Sequence, residues 1–120
     1  MIELSLFSDA ETREFKAGQT VFSAGETGDT MFVVVEGEVE IWVGPVLAEV
    51  VRRGGIFGEM ALIDHEPRSA DAIAESECKL ISVNRERFEQ LVAANTGFAL
   101  QVMSVMAERL RKTNERLIKT

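Results

Sequence analysis

The chain has 120 residues, 46% of them hydrophobic, and its 20 acidic against 13 basic side chains give a formal net charge of −7. That length supports one core and is short for two ordinary domains, so a single domain over residues 1–120 is expected. The acidic balance disfavours generic nucleic-acid binding, which rewards clustered Lys and Arg, and the single cysteine excludes an internal disulfide and a thiolate-rich metal site.

The N-terminus has no basic start followed by a long apolar run. No stretch approaches the roughly 20 apolar residues that cross a bilayer, so the expectation is a cytoplasmic protein with no membrane role. The segment before Thr12 is brief. From Thr12 to about Val83 the sequence reads as short strands punctuated by glycine. Alternation is clearest in Glu38-Val39-Glu40-Ile41-Trp42-Val43, which predicts Val39, Ile41 and Val43 facing inward and Trp42 as a partly covered surface indole. Glu36-Gly37 marks a tight hairpin and Gly44-Pro45 the next turn, before Val46 to Arg52. Gly25, Gly28, Gly54, Gly55 and Gly58 mark further corners. Many short strands with regular glycine turns argue for an antiparallel roll or sandwich. Cys78, within Cys78-Lys79-Leu80-Ile81, reads as core filler.

Gly58-Glu59-Met60-Ala61-Leu62, running into Pro67-Arg68-Ser69-Ala70, sets one carboxylate and one guanidinium either side of a short turn. Two readings stay open. One is a surface ion pair of Arg68 with Asp64 or Glu66, worth roughly 0–1 kcal/mol. The other is a site for a ligand with both hydroxyl and phosphate groups, since a carboxylate accepts from sugar hydroxyls and a guanidinium forks onto phosphate oxygens. Amides opening a short helix after Gly58 would add a positive end.

After Val83 the pattern turns helical. Asn84 is the N-cap of a helix carrying Phe88, Leu91 and Val92, and Asn95-Thr96-Gly97 breaks it. A longer helix runs from about Phe98 towards Lys119. Ala99, Met103, Met106, Leu110, Thr113 and Leu117 recur at alternating spacings of four and three, as in a heptad seam, while Phe98, Val102 and Val105 form a stripe able to cover the roll. Such a helix either packs only on its own sheet or pairs with a second copy of the chain. Thr113 favours pairing or ligand contact, because a polar residue in an apolar stripe needs a partner. Arg52-Arg53 and Arg109-Arg111-Lys112 read as solvated faces. His65, the single histidine, sits in the polar loop Asp64-His65-Glu66, and neither a catalytic triad spacing nor a Walker-type glycine loop is present, so no enzyme and no metal are expected.

The run Gly55-Ile56-Phe57-Gly58-Glu59-Met60-Ala61-Leu62 through Pro67-Arg68-Ser69-Ala70 resembles the phosphate-binding cassette of cyclic nucleotide-binding domains. Gly25-Glu26-Thr27-Gly28-Asp29-Thr30-Met31-Phe32, with Val35-Glu36-Gly37-Glu38-Val39, looks like that family's first hairpin motif. From Arg68 through Arg116 the chain looks most like bacterial activators of the catabolite activator type. The resemblance implies a mostly β fold with flanking helices: an antiparallel, jelly-roll-like β-roll over about 1–83 with its cassette at 55–71, and C-terminal helices over about 84–120. It also implies that Glu59 bonds the ribose 2′-hydroxyl and Arg68 the cyclic phosphate, with the Ser69 hydroxyl and the backbone around Gly58, Met60, Ala61 and Ala70 completing the cradle. Thr113 and Asn114 match positions that touch adenine, which puts cAMP ahead of cGMP, although Ser69 matches a hydroxyl that bonds guanine in cGMP-preferring relatives. A homodimer through the last helix is expected. The activators continue into a helix-turn-helix domain whereas this chain stops at Thr120, so the expectation is a stand-alone sensor acting on an unidentified effector protein. The alternative is a nucleotide-independent dimerisation or docking module on the same fold.

Overall fold

The computed structural model describes residues 2–119. Eight strands form two four-stranded sheets: β1 (Thr12–Phe15), β2 (Thr20–Phe22), β3 (Thr30–Glu36), β4 (Val39–Val43), β5 (Val46–Val51), β6 (Ile56–Phe57), β7 (Asp71–Ala74) and β8 (Cys78–Asn84). One sheet has the order β1-β8-β3-β6 and the other β2-β7-β4-β5, with every pairing antiparallel. Among the described residues there are also three α-helices: α1 (Glu59–Asp64), α2 (Arg85–Ala94) and α3 (Thr96–Lys119). This is the expected β-roll with a short cassette helix and a long C-terminal helix.

Strand β3 shows why the roll forms. Its side chains alternate between two cores, as the period of two in an extended strand requires. Phe32 and Val34 join Phe22, Phe57, Val39 and Leu80 between the sheets, while Met31 and Val33 join Leu62, Leu91, Phe98 and Val102 under the helices. A strand buried on both faces reads as an unbroken apolar run, here Met31 to Val35. Phe22, Phe32 and Phe57 make a mutual ring cluster with centroids 5.3–6.1 Å apart.

Three details lie outside the sequence expectation. Val43 lines the same cavity as Ile41, on the face the alternation puts inward, yet is 52% exposed because that end of the strand borders the cavity rather than packed side chains. α3 begins at Thr96, two residues before the expected start, with Asn95 Oδ1 accepting from the Phe98 amide at 3.0 Å. The segment before Thr12 is not a bare lead: Leu4–Phe7 form a 3-10 turn, Ile2 and Phe7 are buried, and the Phe7 ring meets Phe98 edge-on at 6.4 Å. Asn84 caps α2 as expected, accepting from the Arg87 amide at 2.8 Å. Cys78 is buried, with its thiol directed at the carbonyls of Glu38 and Ser76.

On α3, Phe98 and Val102 are buried against the roll and Val105 is half-buried, whereas Leu100, Met103, Leu110 and Leu117 are exposed. Among the described residues no single helix is long and apolar enough to cross a membrane.

Candidate ligand site

Arg68 sits in the connection between α1 and β7. Its backbone is clipped to the β2–β3 loop, with Arg68 N donating to Glu26 O and Gly25 N donating to Arg68 O, both at 2.8 Å. The side chain turns inward and is only 7% exposed. Nη1 donates to Gly58 O at 2.9 Å, and Nη2 donates to Thr30 O at 2.8 Å and to Thr30 Oγ1 at 3.2 Å. The guanidinium carbon stands 4.2 Å from the centroid of the Phe22 ring. No carboxylate lies within ion-pair distance of Arg68 among the described residues, so the pairing with Asp64 or Glu66 does not occur. Burial lowers its pKa, and the charges of Asp29, Glu26 and Glu59 offset that only in part.

Two glycines make room for this group. A Cβ on Gly28 would lie 2.6 Å from Nε and Nη2 of Arg68. A Cβ on Gly58 would lie 2.8 Å from Nη1, and Gly58 also holds φ +78°, a left-handed conformation that side chains rarely adopt. The turn into α1 and the seat of the guanidinium therefore depend on the same missing side chain.

Glu59 opens α1 and is 3% exposed. Its Oε1 accepts from Nη1 of Arg109 on α3 at 2.6 Å. Arg109 also forks onto Glu49 of β5, with Nε to Oε1 at 2.7 Å and Nη2 to Oε2 at 3.1 Å, and Nη2 donates to the Ile56 carbonyl. Burial opposes the charge of Arg109, but the bonds and charges of Glu49 and Glu59 outweigh it and raise its pKa. One guanidinium thus joins the helix, the second sheet and the cassette.

Arg68 and Glu59 share a cavity of about 290 Å³. That is at the small end of the roughly 300–1,000 Å³ typical of small-molecule sites, and fits one compact ligand. Phe22, Ile41, Val43, Ala48 and Phe57 give it an apolar wall, and Arg109, Lys112, Thr113 and Arg116 reach it from α3. Its four basic and four acidic lining side chains balance, so the chain's net charge of −7 does not describe the site.

The structure gathers Gly58, Glu59, Met60, Ala61, Arg68, Ser69, Ala70 and Thr113 on this lining. Asn114 is exposed and lies off it, one helical step round from Thr113. The Thr113 hydroxyl donates to the Arg109 carbonyl at 3.1 Å, which is the partner its polar group needs within its own helix. Sequence reasoning missed Phe22, Gly28, Thr30 and Arg109. Gly28 and Thr30 fall inside the hairpin motif, and Arg109 lies one turn before Thr113 on the same face, the one signal that separated it from its solvated neighbours. Among the described residues no group of three or more His, Cys, Asp or Glu side chains is placed to hold a metal ion.

A β-roll that presents a buried unpaired guanidinium and a buried carboxylate to one compact cavity is a small-ligand-binding module. The chain belongs to the cyclic nucleotide-binding domain family, whose model matches residues 12–95. It is 30% identical over 109 residues to a CRP-like cAMP-activated global transcriptional regulator of Mycobacterium tuberculosis, covering 87% of this chain and 49% of that protein. The chain therefore spans about half the length of the curated relatives it matches. Its fold resembles the catabolite activator protein of Thermus thermophilus with a TM-score of 0.84 at 27% identity, covering 95% of this chain and 56% of that one. A cyclic nucleotide-binding domain from Methylobacillus flagellatus KT superposes with a TM-score of 0.81 at 26% identity, covering 97% and 71%.

Proposed function

We propose that this chain is a cytoplasmic cyclic nucleotide sensor, one domain over residues 1–120, that takes cAMP in preference to cGMP. The observation that carries the reading is Arg68: a buried guanidinium held by carbonyl dipoles and an aromatic face, with no carboxylate at ion-pair distance among the described residues. Burying a charge is costly unless a counter-charge arrives, and a cyclic phosphate supplies one while accepting from the N–H groups that the Gly58 and Thr30 oxygens leave over. Glu59, in the same cavity, accepts from the ribose 2′-hydroxyl. Ser69 and the backbone of Gly58, Met60, Ala61 and Ala70 close the cradle. Thr113 meets the base from its own chain, and Asn114, off that lining, reaches the base of a paired copy. The cAMP-activated relative supports the choice of nucleotide.

The output is the position of α3. Arg109 bonds Glu59, the same carboxylate that the ribose uses, so ligand entry changes the strength of the helix's hold on the cassette. Helix movement can be only as large as the ligand's differential affinity for the two positions. The exposed row Leu100, Met103, Leu110 and Leu117 on α3 is the surface for a homodimer, through which an effector protein is reached. The role is regulatory and non-enzymatic.

Titration calorimetry of the nucleotide-free folded chain tests this. Saturable heat with cAMP, weaker with cGMP and absent in Arg68→Ala, is the expected result. A folded chain that gives no heat with either nucleotide, yet still dimerises, would return the protein to the docking-module alternative.

A further inference from the structure

Four basic side chains line the cavity, and three of them are accounted for. Arg109 is neutralised by Glu49 and Glu59, Lys112 pairs with Glu108 at 3.6 Å, and Arg68 takes the phosphate in the reading above. Arg116 is the remainder. Its Nη2 donates to the Ala48 carbonyl of β5 at 2.8 Å, and it has no carboxylate partner among the described residues. That contact steadies the guanidinium while using one of its five N–H donors.

Its place along α3 says which part of the ligand it meets. Arg116 follows Arg109 by seven residues, about 10 Å further along the helix axis, past the carboxylate assigned to the ribose. The lining there includes Ala48 and Thr113. Because the Thr113 hydrogen is committed to the Arg109 carbonyl, the hydroxyl shows a ligand only its lone pairs. Arg116, three residues on along the same face, shows only donors. The pair therefore presents an acceptor beside a donor. An adenine edge offers the reverse, an N6 amine beside a ring nitrogen, whereas guanine sets O6 against the lone pairs of Thr113 on either edge, beside N7 on one and beside the N1–H donor, which would face Arg116, on the other.

We infer that Arg116 is a specificity-determining residue: it donates to the ring nitrogen next to the adenine amine, while Thr113 accepts from that amine. This rests on the cyclic nucleotide reading and adds the residue that reads the base edge.

The test is a calorimetric panel of cAMP, 7-deaza-cAMP, 1-deaza-cAMP and cGMP on the parent chain and on Arg116→Leu, a change at an exposed helix position. The parent binds one of the two deaza analogues about tenfold more weakly than cAMP, as expected for loss of one charge-assisted hydrogen bond. Arg116→Leu binds cAMP about tenfold more weakly than the parent and no longer separates it from that analogue. A uniform loss across all four ligands, with the parent's ratios intact, would show that Arg116 only ties α3 to β5 and overturns the inference. So would equal binding of both deaza analogues by the parent. Failure of the parent to bind any cyclic nucleotide is a different result, and sinks the underlying reading itself.

Discussion

Two of the three guanidiniums that line the cavity are held in opposite ways. Arg68 belongs to the roll: carbonyls and the Phe22 ring hold it, no carboxylate among the described residues pairs with it, and burial lowers its pKa. Arg109 belongs to the helix: two carboxylates saturate it, and its pKa is raised. On the proposed function the difference separates two tasks. A cation proposed to receive an anion is left without an ion-pair partner among the described residues, whereas a cation that fastens α3 to the roll is given its partners in advance.

Removing each guanidinium should therefore break different properties. Arg68→Ala should lower cAMP affinity about a thousandfold, some 4 kcal/mol, by deleting two charge-assisted hydrogen bonds to phosphate. Calorimetry reads the loss, and circular dichroism should show an intact roll. Arg109→Leu should instead strike stability, by about 3 kcal/mol in chemical denaturation, because it leaves the Glu59 carboxylate buried without its partner. Adding Glu59→Gln to that variant should recover part of the loss. A change below about 1 kcal/mol would reduce the Arg109 contacts to ordinary surface pairing.

Smaller perturbations sharpen the contrast. Gly28→Ala places a methyl 2.6 Å from the Arg68 guanidinium and should push it off its carbonyls. Affinity should fall about tenfold, or 1.4 kcal/mol, with an unchanged denaturation midpoint. Leu110→Glu, on the exposed row of α3, should convert a dimer to monomer in light scattering and leave Arg68-dependent binding in place. Smallest is Glu108→Gln, which removes only the exposed i,i+4 partner of Lys112 and should shift stability by less than about 0.5 kcal/mol.

Most of the fold was legible because period and punctuation report backbone geometry directly. Glycine turns such as Glu36-Gly37 marked the ends of the strands, and Asn84 announced the start of α2 through its cap. The alternation put Ile41 and Val43 on one face, but it could not show that this face opens onto a cavity at Val43 and leaves that side chain 52% exposed. Ile2 and Phe7 escaped notice because a short 3-10 turn has too few residues to show a period, and its burial depends on Phe98, distant in sequence.

The candidate site divides along the same line. The motif from Gly58 to Ala70 put Glu59 and Arg68 in one short segment, where local order suffices to bring them together. It could not show that Arg68 lacks a carboxylate, since Asp64 and Glu66 stand close to it in sequence. Nor could it find Arg109, fifty residues beyond Glu59 and set among other basic side chains. The sequence by itself determined the strands, the caps and the residue types of the cassette, because each follows from interactions between near neighbours. Only the tertiary structure decided which charges are neutralised and which remain open. That outcome depends on what long-range packing buries together, and α3 brings Arg109 to Glu59 and Glu49 while the β2–β3 loop brings Gly28, and the first residue of β3 brings Thr30, to Arg68.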